Sequence, residues 1–122
     1  MTSQSKLIGL GIWGEAAEQV IVGDVVTGLV AAGSTQATAL SLGTADLAVF
    51  ATVAASSGAI LTSVSGGAKI VVRNGGANAL LVYPPVGGYM NGALNTGLSV
   101  AATKNAMFIS ADGINWYSIV SA

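Results

Sequence analysis

The chain has 122 residues, the size of one domain that can bury a core without cross-links. It contains no cysteine and no histidine, which excludes disulfides, thiolate or imidazole metal sites and the commonest general base. Charged residues make up 7% of the sequence, against roughly 25% in ordinary soluble domains, and the formal net charge is −1.

This low charge favours association, because a nearly neutral surface lacks the repulsion that keeps monomers apart. Membrane insertion and burial between subunits would each explain it. The longest apolar run, Leu47–Ala55, has about half of the roughly 20 residues that a spanning helix needs. The four basic residues are too scattered to form the basic stripe that binds nucleic acid. We therefore expect burial between protein subunits, with no membrane and no nucleic-acid partner.

Residues 1–14 are predicted to form an extended N-terminal arm. Ile8, Leu10 and Ile12 alternate with small residues in a short extended pattern, and Trp13 follows them. These four apolar side chains are the predicted anchors of the arm on an interface. The alternative is a frayed terminus with Trp13 folded back on the core.

Residues 15–32 are predicted to be short strands or an irregular lead-in. Ala and Glu at the start of the segment favour a helix. The β-branched residues that follow favour strands, and Gly23 and Gly28 would break any helix. Two short strands, at about 18–22 and 24–31, are therefore expected.

From residue 33 onward, short apolar runs recur at regular spacing between clusters of Gly, Asn, Ser and Pro. No segment has a long helical period. The pattern predicts an all-β domain over 33–122, with about eight short antiparallel strands in a β-sandwich, a jelly roll or a partly open barrel. The predicted strands are 35–42, 45–53, 58–64, 68–73, 79–83, 97–103, 105–110 and 114–120.

Two β-hairpins are predicted within this domain. The first joins the runs 68–73 and 79–83 through an Asn-Gly-Gly-Ala-Asn segment, which has the Gly and Asn of a tight connection. The second joins 105–110 to 114–120 through Asp112-Gly113, a strong hairpin signal between two apolar runs.

No catalytic or cofactor site is predicted. Asp24, Asp46 and Asp112 lie at expected turns or strand edges, and without histidine a hydrolytic site would need two perturbed carboxylates. The paired glycines lack the spacing of a phosphate-binding loop and flank β-runs instead. We therefore expect no enzyme, no metal and no cofactor.

The aromatic residues near the end of the chain offer a different kind of site. Trp116 and Tyr117 are adjacent on a predicted strand, so their side chains point to opposite faces of the sheet. One is expected in the core and the other at a surface or interface. A platform of these two residues with Tyr83 and Tyr89 would be a sugar-binding site, but the opposite directions of Trp116 and Tyr117 argue against it. Tyr89 and Trp116 are the residues of the β-domain that we predict at an interface.

Four segments together carry a resemblance to a known family. Thr35-Gln36-Ala37 opens a strand, residues 67–85 are GAKIVVRNGGANALLVYPP, Asn91-Gly92 follows in a loop, and 107–117 contribute a closing MFIS and NWY. They resemble a β-domain of tailed bacteriophages and prophages. Its usual form has a V-x-N-x-G-A-N-A-L-x-V-Y-P-P hairpin, a Gly/Asn loop and a final F-x-S-x-D-G-x-x-W-Y hairpin. The resemblance covers residues 33–122 and leaves 1–32 outside it. The motif positions are turn and core residues, so no catalytic residue is carried over.

The resemblance implies a structural protein of the virion. A short chain that is mostly β-domain, with an N-terminal arm, looks most like a capsid decoration (cement) protein. Such proteins typically form homotrimers on the outer capsid surface and bridge neighbouring major capsid subunits. The implied partners are the major capsid protein and other copies of the chain. Two alternatives are a trimeric tail-fibre or baseplate module that contacts the host surface, and a carbohydrate-binding module.

Overall fold

The computed structural model describes residues 24–62 and 66–121, and this part of the chain is all-β, as predicted. The predicted arm, 1–14, with Ile8, Leu10, Ile12 and Trp13, lies outside the described residues, as does the strand expected at 18–22. One short 3-10 turn spans Gln36–Thr38. The strands are β1 Val25–Val30, β2 Leu40–Ser41, β3 Leu47–Thr52, β4 Gly58–Ile60, β5 Lys69–Asn74, β6 Leu80–Tyr83, β7 Tyr89–Met90, β8 Ala93–Leu94, β9 Leu98–Val100, β10 Asn105–Ser110 and β11 Asn115–Val120.

Within the described ranges the strands form two sheets. The large sheet has the order β1-β3-β5-β10-β11-β7-β8, and the small sheet has the order β2-β4-β6-β9. Up to β6 the chain passes from one sheet to the other at every step. The strands β1, β3 and β5 therefore run parallel in the large sheet, and β2, β4 and β6 run parallel in the small one. This is a solenoid-like arrangement, in which Val25 pairs with Leu47 and Leu47 pairs with Val71 one turn later.

The second half of the chain adds mainly antiparallel pairs to this stack. β10 lies between β5 and β11, β9 pairs with β6, and β7 pairs with β8, all antiparallel. The prediction of a purely antiparallel sandwich or jelly roll is therefore wrong for the first six strands. Alternating burial shows which face of a sheet a side chain points to, and it is the same in parallel and antiparallel ladders. The pattern consequently could not fix the direction of the partner strand.

The core lies between the two sheets. Phe50, Val72 and Phe108 project inward from the large sheet, while Leu80 and Val82 project from the small one, and all five side chains are fully buried. The inward positions alternate with outward ones along β5 and β10, as a pleated strand requires. Each such side chain contributes about 1.5–3 kcal/mol by leaving water, so this row of large residues holds the sheets together.

The predicted hairpin between 68–73 and 79–83 is also wrong. β5 belongs to the large sheet and β6 to the small one, so the segment between them is a corner of the solenoid. A Cβ on Gly75 would lie 2.7 Å from the Phe50 carbonyl oxygen, and one on Gly76 would lie 2.6 Å from the Val53 nitrogen. The two glycines are therefore required because the corner passes close to the preceding turn of the chain.

Asn74 organises this corner from inside the protein. Its side chain is fully buried. Its Nδ2 donates to the carbonyl oxygens of Asn78 at 2.8 Å and Val100 at 2.9 Å, and its Oδ1 accepts from the Gly76 nitrogen at 3.0 Å. The Asn74 nitrogen also donates to the Lys104 carbonyl at 3.0 Å. The Asn74 side chain thus joins the corner to the end of β9, and the Asn74 backbone links the corner to the turn that follows β9.

The final hairpin is confirmed: β10 and β11 pair antiparallel, from Ala106 with Val120 to Ser110 with Trp116. Gly113 has φ 88°, which a glycine adopts without strain. Asp112 Oδ1 accepts from the nitrogens of Ile114 at 3.0 Å and Asn115 at 2.7 Å. The Asp112 side chain therefore holds the turn that the Asp112-Gly113 pair predicted.

This turn predicts a pH dependence. Hydrogen bonds from Asn115, first from its backbone and then from its side chain, lower the pKa of Asp112 below 3.8. A lowered pKa in the folded state means that the contribution of Asp112 to stability is present at neutral pH. It is lost as the pH falls from about 5 through the folded-state pKa.

Urea unfolding at a series of pH values over this range measures the free energy of unfolding of the parent and of Asp112→Asn. The variant should lose less stability than the parent as the pH falls. Equal pH dependence in the two proteins would contradict this role of the Asp112 carboxylate.

Candidate functional site

A row of apolar side chains crosses the outer face of the large sheet. Strand register places Val25 beside Leu47, Leu47 beside Val71, Val71 beside Met107, and Met107 beside Ile119. The row therefore takes one residue from each of five neighbouring strands. Val25 is 56% exposed and Ile119 is 63% exposed, whereas the three residues between them are half-buried. We call these five residues the outer row.

The outer row is part of a wider apolar surface. Ile109 pairs with Tyr117, which is 54% exposed, one step along the same face. Residues of the row on β5, β10 and β11 also border a shallow groove of about 250 Å³, together with Val120. Contiguous apolar surface of this kind marks an interaction site in a soluble protein.

Basic residues border this surface rather than interrupt it. Lys69 pairs with Ile109 at one end of β5 and is exposed. Arg73, at the other end, donates from Nη1 to the Thr103 carbonyl oxygen and to Asn105 Oδ1. The guanidinium is therefore held at the margin by neighbouring turns, and the middle of the face is left to apolar groups.

The two β-domain residues predicted at an interface have different positions. Tyr89 lies on β7, is 37% exposed and pairs with the exposed Leu94 of β8. Trp116 is 3% exposed and belongs to the core, so it offers almost no surface of its own for the interface predicted there. The neighbour Tyr117 is the exposed member of the pair. The strand alternation was predicted correctly, but which of the two residues pointed inward was not.

The fold brings two of the predicted turn aspartates together in the described part of the chain. Asp24 and Asp46 are brought together, with the Asp24 nitrogen donating to Asp46 Oδ2 at 2.7 Å and the Asp46 nitrogen donating to the Asp24 carbonyl at 2.8 Å. Both residues are exposed and join the starts of β1 and β3. Across 24–62 and 66–121, no three acidic residues lie close enough together to hold a metal ion.

Comparison with known proteins adds no relative to this description. No protein-family model matches the chain, and no curated protein or solved structure is significantly similar to it. No helix in the described ranges is long and apolar enough to cross a membrane.

Proposed function

We propose that the chain is a structural subunit of a tailed-phage virion, most like a capsid decoration protein. In this proposal it binds the outer capsid surface as a homotrimer and stabilises the shell by bridging neighbouring major capsid subunits. The main support is the outer row, whose apolar side chains from five strands are exposed or half-buried in the single chain. The resemblance of residues 33–122 to phage β-domains is the reason for choosing a virion as the assembly in which this surface is covered.

The outer row needs a cover because its exposure to water is unfavourable. Complete burial of one Val, Leu, Ile or Met side chain contributes about 1.5–3 kcal/mol. Val25 and Ile119 each expose more than half of their surface, so a partner that covers both ends of the row gains much of this energy. A chain with 7% charged residues has little electrostatic repulsion to oppose such contacts.

The proposed mechanism is physical rather than chemical. A protein that binds only the assembled shell stabilises it by mass action, and many repeated contacts over a lattice give high avidity. A cyclic oligomer uses one surface around its axis and keeps another free for the capsid. We assign the outer row to contacts between copies of this chain.

Copy number in purified virions tests the proposal. A decoration protein should be present at a stoichiometry comparable to that of the major capsid protein, because it occupies the whole shell. Quantitative mass spectrometry of virions, with the major capsid protein as internal standard, measures this ratio. A ratio far lower would contradict the capsid assignment and favour the tail-fibre or baseplate alternative. Absence of the chain from purified virions would contradict both.

A further inference from the structure

A cavity of about 120 Å³ lies at the end of the molecule where β3 and β5 begin, beside the residues that follow β4. Its wall includes the buried side chains of Leu42, Leu61 and Ile70. Asp46 and Lys69 are exposed members of the wall. The cavity is thus mainly apolar inside and carries charges of both signs where solvent reaches it.

Two residues that line this cavity each carry a polar atom without a hydrogen-bond partner within the described ranges. These atoms are Nε1 of Trp116 and Oγ1 of Thr62, and both are buried. Burial without a partner is unfavourable, because the group gives up its hydrogen bond to water and gains none in return. The two residues come from β11 and from the segment after β4, so their meeting at one cavity is a product of the fold.

The other buried polar side chains of the described core are hydrogen-bonded. The buried polar side chains of Ser57, Asn74 and Ser110 all have hydrogen-bond partners. The two residues with an unpartnered polar atom both line one cavity, which has room for additional atoms. Local breaks in polar satisfaction are expected where a protein binds something.

We propose that this cavity binds a small uncharged group that has a compact apolar body and one hydrogen-bond acceptor, such as a carboxamide. The indole N–H of Trp116 only donates, so the ligand must accept, and the hydroxyl of Thr62 can donate or accept. The apolar side chains of the wall disfavour a buried charge. An apolar cavity of about 150 Å³ accepts benzene. Since this cavity is about 120 Å³, its ligand can be no larger than benzene.

The proposal is separate from the virion assignment, because the cavity is lined by the core side of the fold and not by the outer row. Water is the competing occupant, since ordered waters also satisfy buried polar groups. A free small molecule and a carbonyl group presented by another copy of the chain would supply the same chemistry.

Isobutyramide titrated into ¹⁵N-labelled full-length protein tests the proposal. Its branched body and carbonyl oxygen match the cavity, and isobutyrate serves as the charged control. The indole N–H resonance of Trp116, assigned by its loss in Trp116→Phe, should shift and saturate with isobutyramide and respond weakly to isobutyrate. No shift would overturn the proposal and leave water as the occupant.

Thr62→Val is the decisive variant because it removes the hydroxyl while keeping the shape. It should weaken isobutyramide binding about fivefold or more and raise the melting temperature of the free protein, since an orphaned polar group is gone. Thr27→Val, on an exposed position of β1, should leave the binding unchanged. Unchanged affinity in Thr62→Val, or a lower melting temperature, would overturn the proposal.

A dilution series without isobutyramide identifies the source of the acceptor. If the indole resonance moves with protein concentration, another copy supplies the carbonyl. If it is constant while isobutyramide shifts it, the site takes a free molecule.

Discussion

Replacement of Asn74 by alanine should lower the free energy of unfolding by about 3 kcal/mol or more. The substitution removes three side-chain hydrogen bonds. One of the three bonds is the donation to the carbonyl of the buried Val100, and the loss of a hydrogen bond to a buried group is costlier than the loss of an exposed one. Urea unfolding of the parent and the variant measures the difference directly.

Two variants control this experiment. Asn78→Ala removes only the 2.9 Å bond from Nδ2 to the Val53 carbonyl, so a loss of about 1 kcal/mol is expected. Asn74→Asp keeps the shape but turns an acceptor toward two carbonyl oxygens, and it should destabilise at least as much as alanine. If Asn74→Ala lowered the free energy of unfolding no more than Asn78→Ala does, the corner would be held by its backbone and glycines alone.

Asn74 also shows how far local sequence signals reach. The segment that follows it has the composition of a tight turn, and the chain does turn there. The partner of β5 is nevertheless β3 on one side and β10 on the other, and β6 lies in the opposite sheet. Turn chemistry fixes where a strand ends. It does not fix whether the next strand pairs with it, because that depends on contacts distant in sequence.

The final hairpin was predictable for the opposite reason. Its connection is short, and its geometry is set by groups within a few residues, namely Asp112 Oδ1 accepting from Ile114 and Asn115 and Gly113 adopting a positive φ. The pairing of Ser110 with Trp116 follows from that turn. Local interactions alone therefore determine the register.

The outer row was missed, although a signal for it exists. β3 and the middle of β5 and β10 are apolar on both faces: Leu47, Val71 and Met107 occupy outward positions where a half-buried strand would have polar residues. Near-continuous apolar strands are typical of parallel sheets covered on both sides. The same signal points to a covered outer face and not to strand direction, because β10 carries it and pairs antiparallel with both of its neighbours. The antiparallel interpretation came from the many short strands and the turn residues between them.

A lysine in place of Ile119 should weaken self-association tenfold or more while leaving the isolated chain folded. Ile119 is 63% exposed, so its replacement in the free protein should change stability by only about 0.5 kcal/mol or less. In an oligomer that covers the outer row, the variant loses the burial of an isoleucine and places an ammonium group beside Met107. A loss of 1.4 kcal/mol already corresponds to tenfold in the dissociation constant.

Ile114→Lys is the matched control, because this isoleucine is 53% exposed on the preceding turn and lies outside the outer row. Sedimentation velocity over a concentration series, with thermal unfolding in parallel, compares the two variants with the parent. Selective loss of association in Ile119→Lys would locate the contact between copies on the large sheet. Equal association of both variants and the parent would contradict that contact. The outer row would then have to be covered by a different protein, and the same two variants bound to purified shells would measure that contact.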